Sequence, residues 1–238
     1  MITAVLPSAR TPRILAIYSF RFDAHLVPAM LENVEPLVDG WISYDDREAA
    51  DEVISDEVSR RLALLDAARE AGAEWVLGVD PDERFETRMR RIIPSLLDGE
   101  ANAYSLAFRE MYTPTKYRVD GLWGAKRQVR LIRISEGILT EHPHGTYHLP
   151  WSTFLPEPRI QRADANLYHL KMITAERRRA RAALYTGIDP EHRMQTVGYE
   201  YLTDDTGLKL ERIPFGRGYR PQHIDDGGLW MSERVRSD

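Results

Sequence analysis

The sequence predicts an α/β protein: a mostly parallel sheet flanked by helices, followed by a mixed C-terminal half. Three observations predict this class. Short apolar runs alternate with segments of helical period over roughly the first 100 residues. That order implies right-handed crossovers between parallel strands. The second half instead opens on two longer strand-like runs and carries one clear helix.

The elements follow in chain order. RILAIYS (13–19) is apolar, with a β-branched residue and an aromatic, and predicts a buried strand. DAHLVPAMLENVEPLV (23–38) places Leu26, Met30, Val34 and Leu37 on one helix face, with Pro28 in the first turn. WISY (41–44) predicts a second strand, ending in Asp45 and Asp46. From Glu52 to Gly72 the helical period returns through Ile54, Val58, Leu62, Leu65 and Ala68, and Gly72 stands where a helix C-terminus favours glycine. WVLGV (75–79) predicts a third strand, and TRMRRIIPSLLDG (87–99) a short helix.

AYSLAFREMY (103–112) and QVRLIRIS (128–135) predict strands. TAERRRARAALYTG (174–187) predicts a helix capped by Thr174. The tail from about Thr203 is rich in Gly and charge and reads as loop-like. The expected division is a domain over residues 1–200 and a mobile C-terminal extension over 201–238.

Composition narrows the function. Among 238 residues, 43% are hydrophobic and 29% charged, as in a soluble globular protein. The formal net charge of -5 lacks the basic surplus of a nucleic-acid binder. With no cysteine, disulfides, zinc–thiolate sites, iron–sulfur clusters and a Cys nucleophile are excluded. No run approaches the ~20 apolar residues of a membrane span, and MITAVLPSARTPR lacks the layout of a signal peptide. The expected location is cytoplasmic. Glycine-rich dinucleotide, P-loop and nucleophile-elbow signatures are all missing.

The chemistry concentrates where strands end. The run 75–79 stops in Asp80-Pro81-Asp82-Glu83, and the run 41–44 stops in Asp45-Asp46. In an open α/β sheet, ligands bind beyond the carboxyl ends of the strands. Carboxylates gathered at that edge repel one another unless a cation compensates. A hard divalent ion, Mn²⁺ or Mg²⁺, suits oxygen ligands and can bridge to a diphosphate. The competing reading is a solvated Asp-Pro-Asp turn.

Other features divide the same way. TEHPHGTYH (140–148) holds His142, His144 and His148, and Pro143 opposes the helix that a helical zinc motif needs. It reads as an active-site or surface loop. Arg177, Arg178, Arg179 and Arg181 predict a solvated helix face, with phosphate binding as the functional option. Arg217 and Arg220 lie in a tail segment that could fold over a bound diphosphate. YRVDGLWG (117–124) is the candidate acceptor loop.

Taken in order, REAGAEWVLGVDPDERFE, WISYDD, RRLALLDAA, KRQVRLIRIS and NLYHLKMITAERRRARAALY resemble the segments of a family-2-type glycosyltransferase of the GT-A (Rossmann-like) fold. The likeness spans roughly residues 13–187. It implies a hexosyltransferase-like enzyme with a nucleotide-sugar donor and a hydroxyl acceptor, whether glycan, lipid-linked or small molecule. It implies that Asp82 binds the metal with Asp80 assisting, and that His169 supplies a further contact. It places Asp45, Asp46 and Arg61 with Asp80 around the nucleotide. It also implies direct displacement with inversion, which needs a base on the acceptor hydroxyl. Glu110, Asp120, Glu141 and His144 are available, and His144 and Asp120 are preferred. The rival readings are a metal-dependent nucleotidyltransferase and a non-catalytic nucleotide- or sugar-binding module.

Overall fold

The structure is a computed structural model that describes residues 1–47, 57–141, 149–189, 191 and 198–222. Its elements are β1 (Ile2–Val5), β2 (Ile14–Phe20), α1 (Val27–Val34), β3 (Gly40–Asp45), α2 (Glu57–Glu70), β4 (Trp75–Gly78), β5 (Glu83–Phe85), α3 (Met89–Leu97), β6 (Ala103–Thr113), β7 (Lys116–Arg118), β8 (Arg127–Arg133), β9 (Ile160–His169), α4 (Ala175–Ile188) and β10 (Leu210–Arg212).

These strands form one ten-stranded sheet with the order β1-β3-β2-β4-β8-β6-β7-β10. Strand β9 pairs with β6 and carries β5 on its other side. No helix among the described residues is long and apolar enough to cross a membrane.

The expected helix-flanked α/β sheet is present, but parallel pairing is confined to β2–β3, β2–β4 and β6–β9. The remaining pairs are antiparallel, so the sheet is mixed rather than mostly parallel. The reason lies in the connections. Helices α1 and α2 carry the chain back between β2, β3 and β4, as parallel pairing requires. After α3 the strands are joined by loops and a hairpin, which allow antiparallel neighbours.

Strand β2 is buried on both faces, which explains its unbroken apolar run. Ile14, Ala16 and Tyr18 pack with Met30 and Val34 of α1 and Met89, Ile93 and Leu97 of α3. Leu15 and Ile17 face Val58, Leu64, Leu65 and Ala68 of α2. Burying each large aliphatic side chain contributes about 1.5–3 kcal/mol. The expected 23–38 helix is regular only over α1, with single 3₁₀ turns before and after it. Its predicted stripe of Leu26, Met30, Val34 and Leu37 is buried.

Two terminations follow the chemistry of the sequence. Helix α2 ends as Gly72 donates to Arg69 O and Ala73 to Ala68 O, with Gly72 at φ +79° where glycine is unstrained. Thr174 caps α4 by accepting from Arg177 N at 3.1 Å.

Beyond Thr203, β10 pairs with β7, and Tyr219 is buried against Tyr168 with ring centroids 5.1 Å apart. Asn33 ties this segment to the core. Its side-chain amide donates to Arg220 O at 2.7 Å and Phe85 O at 3.0 Å, and its carbonyl oxygen accepts from Phe85 N at 2.7 Å.

Candidate active site

The mixed sheet brings several strand ends to one edge. Strands β2 and β4 are parallel and finish there. Strand β8, antiparallel to β4, begins there and presents Gln128 and Arg130. The D-P-D-E turn follows β4, and β5 then pairs with β9 so that Glu83 lies opposite His169. Leu170 N donates to Asp82 O at 2.7 Å and fixes the turn against the end of β9. These ends enclose a cleft of about 500 Å³.

Asp80, Asp82, His169 and Arg61 all line this cleft. Asp82 and His169 meet directly, with Oδ2 to Nε2 at 3.3 Å. Behind the imidazole, Nδ1 faces Glu110 Oε2 at 2.8 Å. Asp82 Oδ2 also accepts from Arg181 Nη2 at 3.0 Å. Arg181 is bonded to Asp23 as well, and Asp23 accepts from Arg177 at 2.9 Å. The result is an alternating series of charges: Glu110, His169, Asp82, Arg181, Asp23, Arg177. Asp23 sits at φ +36°, a region that non-glycine residues enter at a cost, and its two arginine contacts hold it there.

The electrostatics follow from burial opposed by partners. Burial alone would push His169 down, but Glu110 and Asp82 outweigh it and hold it at about 9. Burial alone would raise Asp82, yet His169, Arg181 and Arg177 hold it well below the usual carboxylate range. Glu110 is likewise lowered, as His169, Lys171 and Lys126 overcome its burial. Glu83 goes the other way: burial pushes it up to about 7 although Arg130 opposes the shift. Arg130 bridges Asp80, at 2.9 Å, and Glu83.

The cleft is cationic on balance. Arg21, Arg60, Arg61, Lys126, Arg130, Lys171 and Arg181 outnumber Asp23, Glu57, Asp80, Asp82 and Glu83, before His169 is counted. A site with that sign, in a chain of net charge -5, suits an anionic ligand. Aromatic rings complete it: Trp123 lies 5.1 Å from Tyr201, and Trp151 carries the Arg61 guanidinium 4.5 Å above its ring. Gly78 makes room for Trp151, because a Cβ there would stand 2.3 Å from the indole nitrogen.

The donor set also bears on a divalent metal. Among the described residues, no group of three His, Asp or Glu side chains is arranged to hold one. Asp82 and His169 nevertheless offer one carboxylate oxygen and one imidazole nitrogen at a single point. Glu110 backs the imidazole as carboxylates commonly back a ligating histidine. Two protein donors fit an ion that takes the rest of its shell from water and substrate phosphates, as Mg²⁺ commonly does.

The other predicted residues lie elsewhere. Asp45 is held by Arg47, at 2.7 Å, and Asp46 by Arg60, and neither lines the cleft. Asp120 is clamped by Arg118 at 2.6 and 3.2 Å, and one of its oxygens also accepts from Lys209 N at 3.2 Å. Its Arg118 hydrogen bonds hold it below the usual range, and it lies outside the cleft lining. His144, with His142 and His148, falls outside the described residues. Arg217 pairs with Glu86 and Asp164 rather than covering the cleft.

The arginine-rich helix differs most from expectation. Arg177 and Arg181 are buried and serve Asp23 and Asp82, while Arg179 is the solvated member, paired with Glu176. Their spacing of four places Arg177 and Arg181 on one face of α4, and that is the signal the sequence held. Lys126, Arg130 and Asp23 were also missed. Arg130 alone left a trace, as one of the charged residues that alternate with Val129 and Leu131 in its strand.

No protein-family profile matches the chain. No curated protein matches it either. Among solved structures, the chain is similar to a glycosyltransferase involved in the glycosylation of the major capsid of PBCV-1, with a TM-score of 0.41 and 16% identity over 70% of this chain and 98% of that one. It is also similar to A197 from STIV, with a TM-score of 0.39 and 14% identity over 66% of this chain and 85% of that one.

Proposed function

We propose that the chain is a glycosyltransferase that moves a sugar from a nucleotide-diphosphate donor to a hydroxyl acceptor, with inversion. The observation that carries this reading is the meeting of Asp82 and His169 at 3.3 Å in a cationic cleft, with Glu110 behind the imidazole. It joins the two separate sequence segments that the family resemblance paired.

In this reading the donor diphosphate lies along the cationic wall, where Lys126, Arg130, Lys171 and Arg181 offset its charge. Mn²⁺ or Mg²⁺ would be held by Asp82 and His169 with Asp80 close by, and when bound it supplies Lewis-acid stabilisation of the departing diphosphate. Arg181 shares Asp82 and so keeps its carboxylate ionised and oriented. Trp123 and Tyr201 offer ring faces to a sugar. The acceptor oxygen bonds to the anomeric carbon as that carbon's bond to the diphosphate breaks. The electron pair leaves with the diphosphate, and the acceptor proton passes to a base. Asp120, clamped and lowered by Arg118, is a weak candidate on this geometry, which leaves His144 as the proposed base. The catalytic unit would be residues 1–200, with 201–238 as its extension.

Calorimetry of nucleoside diphosphates with and without Mn²⁺ tests the reading. Metal-dependent binding should weaken at least ~10-fold in Asp82→Asn. Acceptor-dependent release of a nucleoside diphosphate from a nucleotide sugar should fall with it. Binding and release that are indifferent to both metal and Asp82 would refute the proposal, and tight binding without turnover would make the chain a binding module.

A further inference from the structure

A second cavity, of about 220 Å³, lies behind the sheet. Strand alternation separates it from the cleft: Phe108 of β6 lines the cleft, whereas Ala107 and Arg109 line the rear cavity. It is smaller than the ~300–1,000 Å³ of sites for drug-sized ligands, so it suits an ion or the end of a larger molecule. Ala107, Ala163 and Ala165 are among its lining residues, and these small side chains leave the space open.

Its polar walls are unusual in their partners. Arg109 donates to Asn166 Oδ1 at 3.0 Å and to Gly124 O at 3.2 Å. Arg127 donates to Ser105 Oγ at 3.1 Å and to Ala163 O at 3.1 Å. All these acceptors are neutral. Neither arginine has a carboxylate partner among the described residues. Arg217 and Asp164 close a further wall and pair with each other at 3.0 Å, and Arg217 also pairs with Glu86. Burial, then Arg162 and Arg109 nearby, lower Arg127, so the cluster carries mutual repulsion that an anion would relieve.

We propose that this rear cavity binds a tetrahedral oxyanion: a free phosphate, or the phosphoryl group of a lipid headgroup. Arginine suits the task, because its planar fork offers several N–H donors and both side chains keep part of theirs unused by the protein. The headgroup source has a feature of its own: Phe215, between the lining residues Pro214 and Arg217, is fully exposed. The proposal stands apart from the reaction assigned to the cleft, since it rests on the opposite face of β6.

The test uses the full chain and inorganic phosphate, with ionic strength held constant by chloride. Phosphate should raise the melting temperature by a few degrees at concentrations well above Kd. Arg109→Gln should weaken phosphate binding at least ~10-fold. Ala163→Leu should do the same by filling the cavity while both arginines remain, which separates loss of the site from loss of the fold. Lys126→Gln, a change in the front cleft, should remove only the part of the response that the cleft's own phosphate-binding wall contributes and leave the rear-cavity part in place. Co-flotation with vesicles of phosphatidylglycerol in phosphatidylcholine, but not of phosphatidylcholine alone, assigns the headgroup source if both rear-cavity variants lose it. A phosphate response without flotation assigns the free anion. The proposal is overturned if both rear-cavity variants keep the full phosphate response, or if Lys126→Gln alone abolishes it.

Discussion

Glu110 never touches the open cleft, yet it sets what His169 can do. With Nδ1 bound to Glu110, the imidazole directs Nε2 at Asp82. Glu110→Gln should therefore lower Mn²⁺ affinity about 10–100-fold, the usual scale for a group that orients a ligating histidine. Titration calorimetry would check it, and an unchanged affinity would remove His169 from the metal site. The same imidazole makes the metal-free protein sensitive to pH. Its folded value of about 9 exceeds the ordinary 6.5, so its stabilisation is complete below pH 6.5 and disappears as pH rises through 9. At ~1.4 kcal/mol per unit this amounts to about 3 kcal/mol. Urea melts in chelator should show stability falling over that window, with a flatter profile in His169→Gln.

Legibility at this scale depended on pattern. Asp82 stood out because it follows the apolar run 75–79, whereas His169 entered only through the family resemblance. Arg177 and Arg181 did not stand out, because four arginines in five positions of a helix look like solvated charge until a buried Asp23 is known to face them.

Elements place these residues through a few close approaches. Strand β4 ends at Gly78, against which the Trp151 indole packs. Gly78→Ala would force a methyl group into that ring, and overpacking of this kind costs about 1–3 kcal/mol. A thermal melt should show the loss as a drop of several degrees, and a melt equal to that of the natural chain would mean that Trp151 is free to shift. Strand β1, exposed along its length, left no pattern, whereas β2, β3 and β4 with the helices between them were readable from period alone, because each is buried in a simple way. Strands β5 and β9 were not. Strand β9 begins exposed and charged in IQRAD and turns apolar only from Ala165, so no single period runs through it. Strand β5, within ERF, is fully buried despite two charges, because it is held by β9 and by Arg84 donating to neighbouring carbonyls.

Over the whole molecule, residues 204–222 are part of the packing. Tyr219 is buried, packs at a tilt against Tyr168 and donates to Pro114 O at 3.3 Å. Tyr219→Ala should cost about 3–5 kcal/mol, as truncation of a buried aromatic does. Denaturant titration should move the midpoint while leaving the slope unchanged. A midpoint that stayed in place would mean that the core does not depend on this segment. Composition could not reveal the docking, because Gly and charge describe what the segment exposes, while its anchorage rests on single residues such as Tyr219 and the Arg220 carbonyl.

Asn33 and Arg220 stand 187 positions apart and share one hydrogen bond. A nascent chain still attached to the ribosome has already made α1, but it lacks the acceptor for one amide hydrogen of Asn33. That hydrogen must stay hydrated until Arg220 has also been made, so the packing around α1 and β5 is completed only by a late-arriving segment.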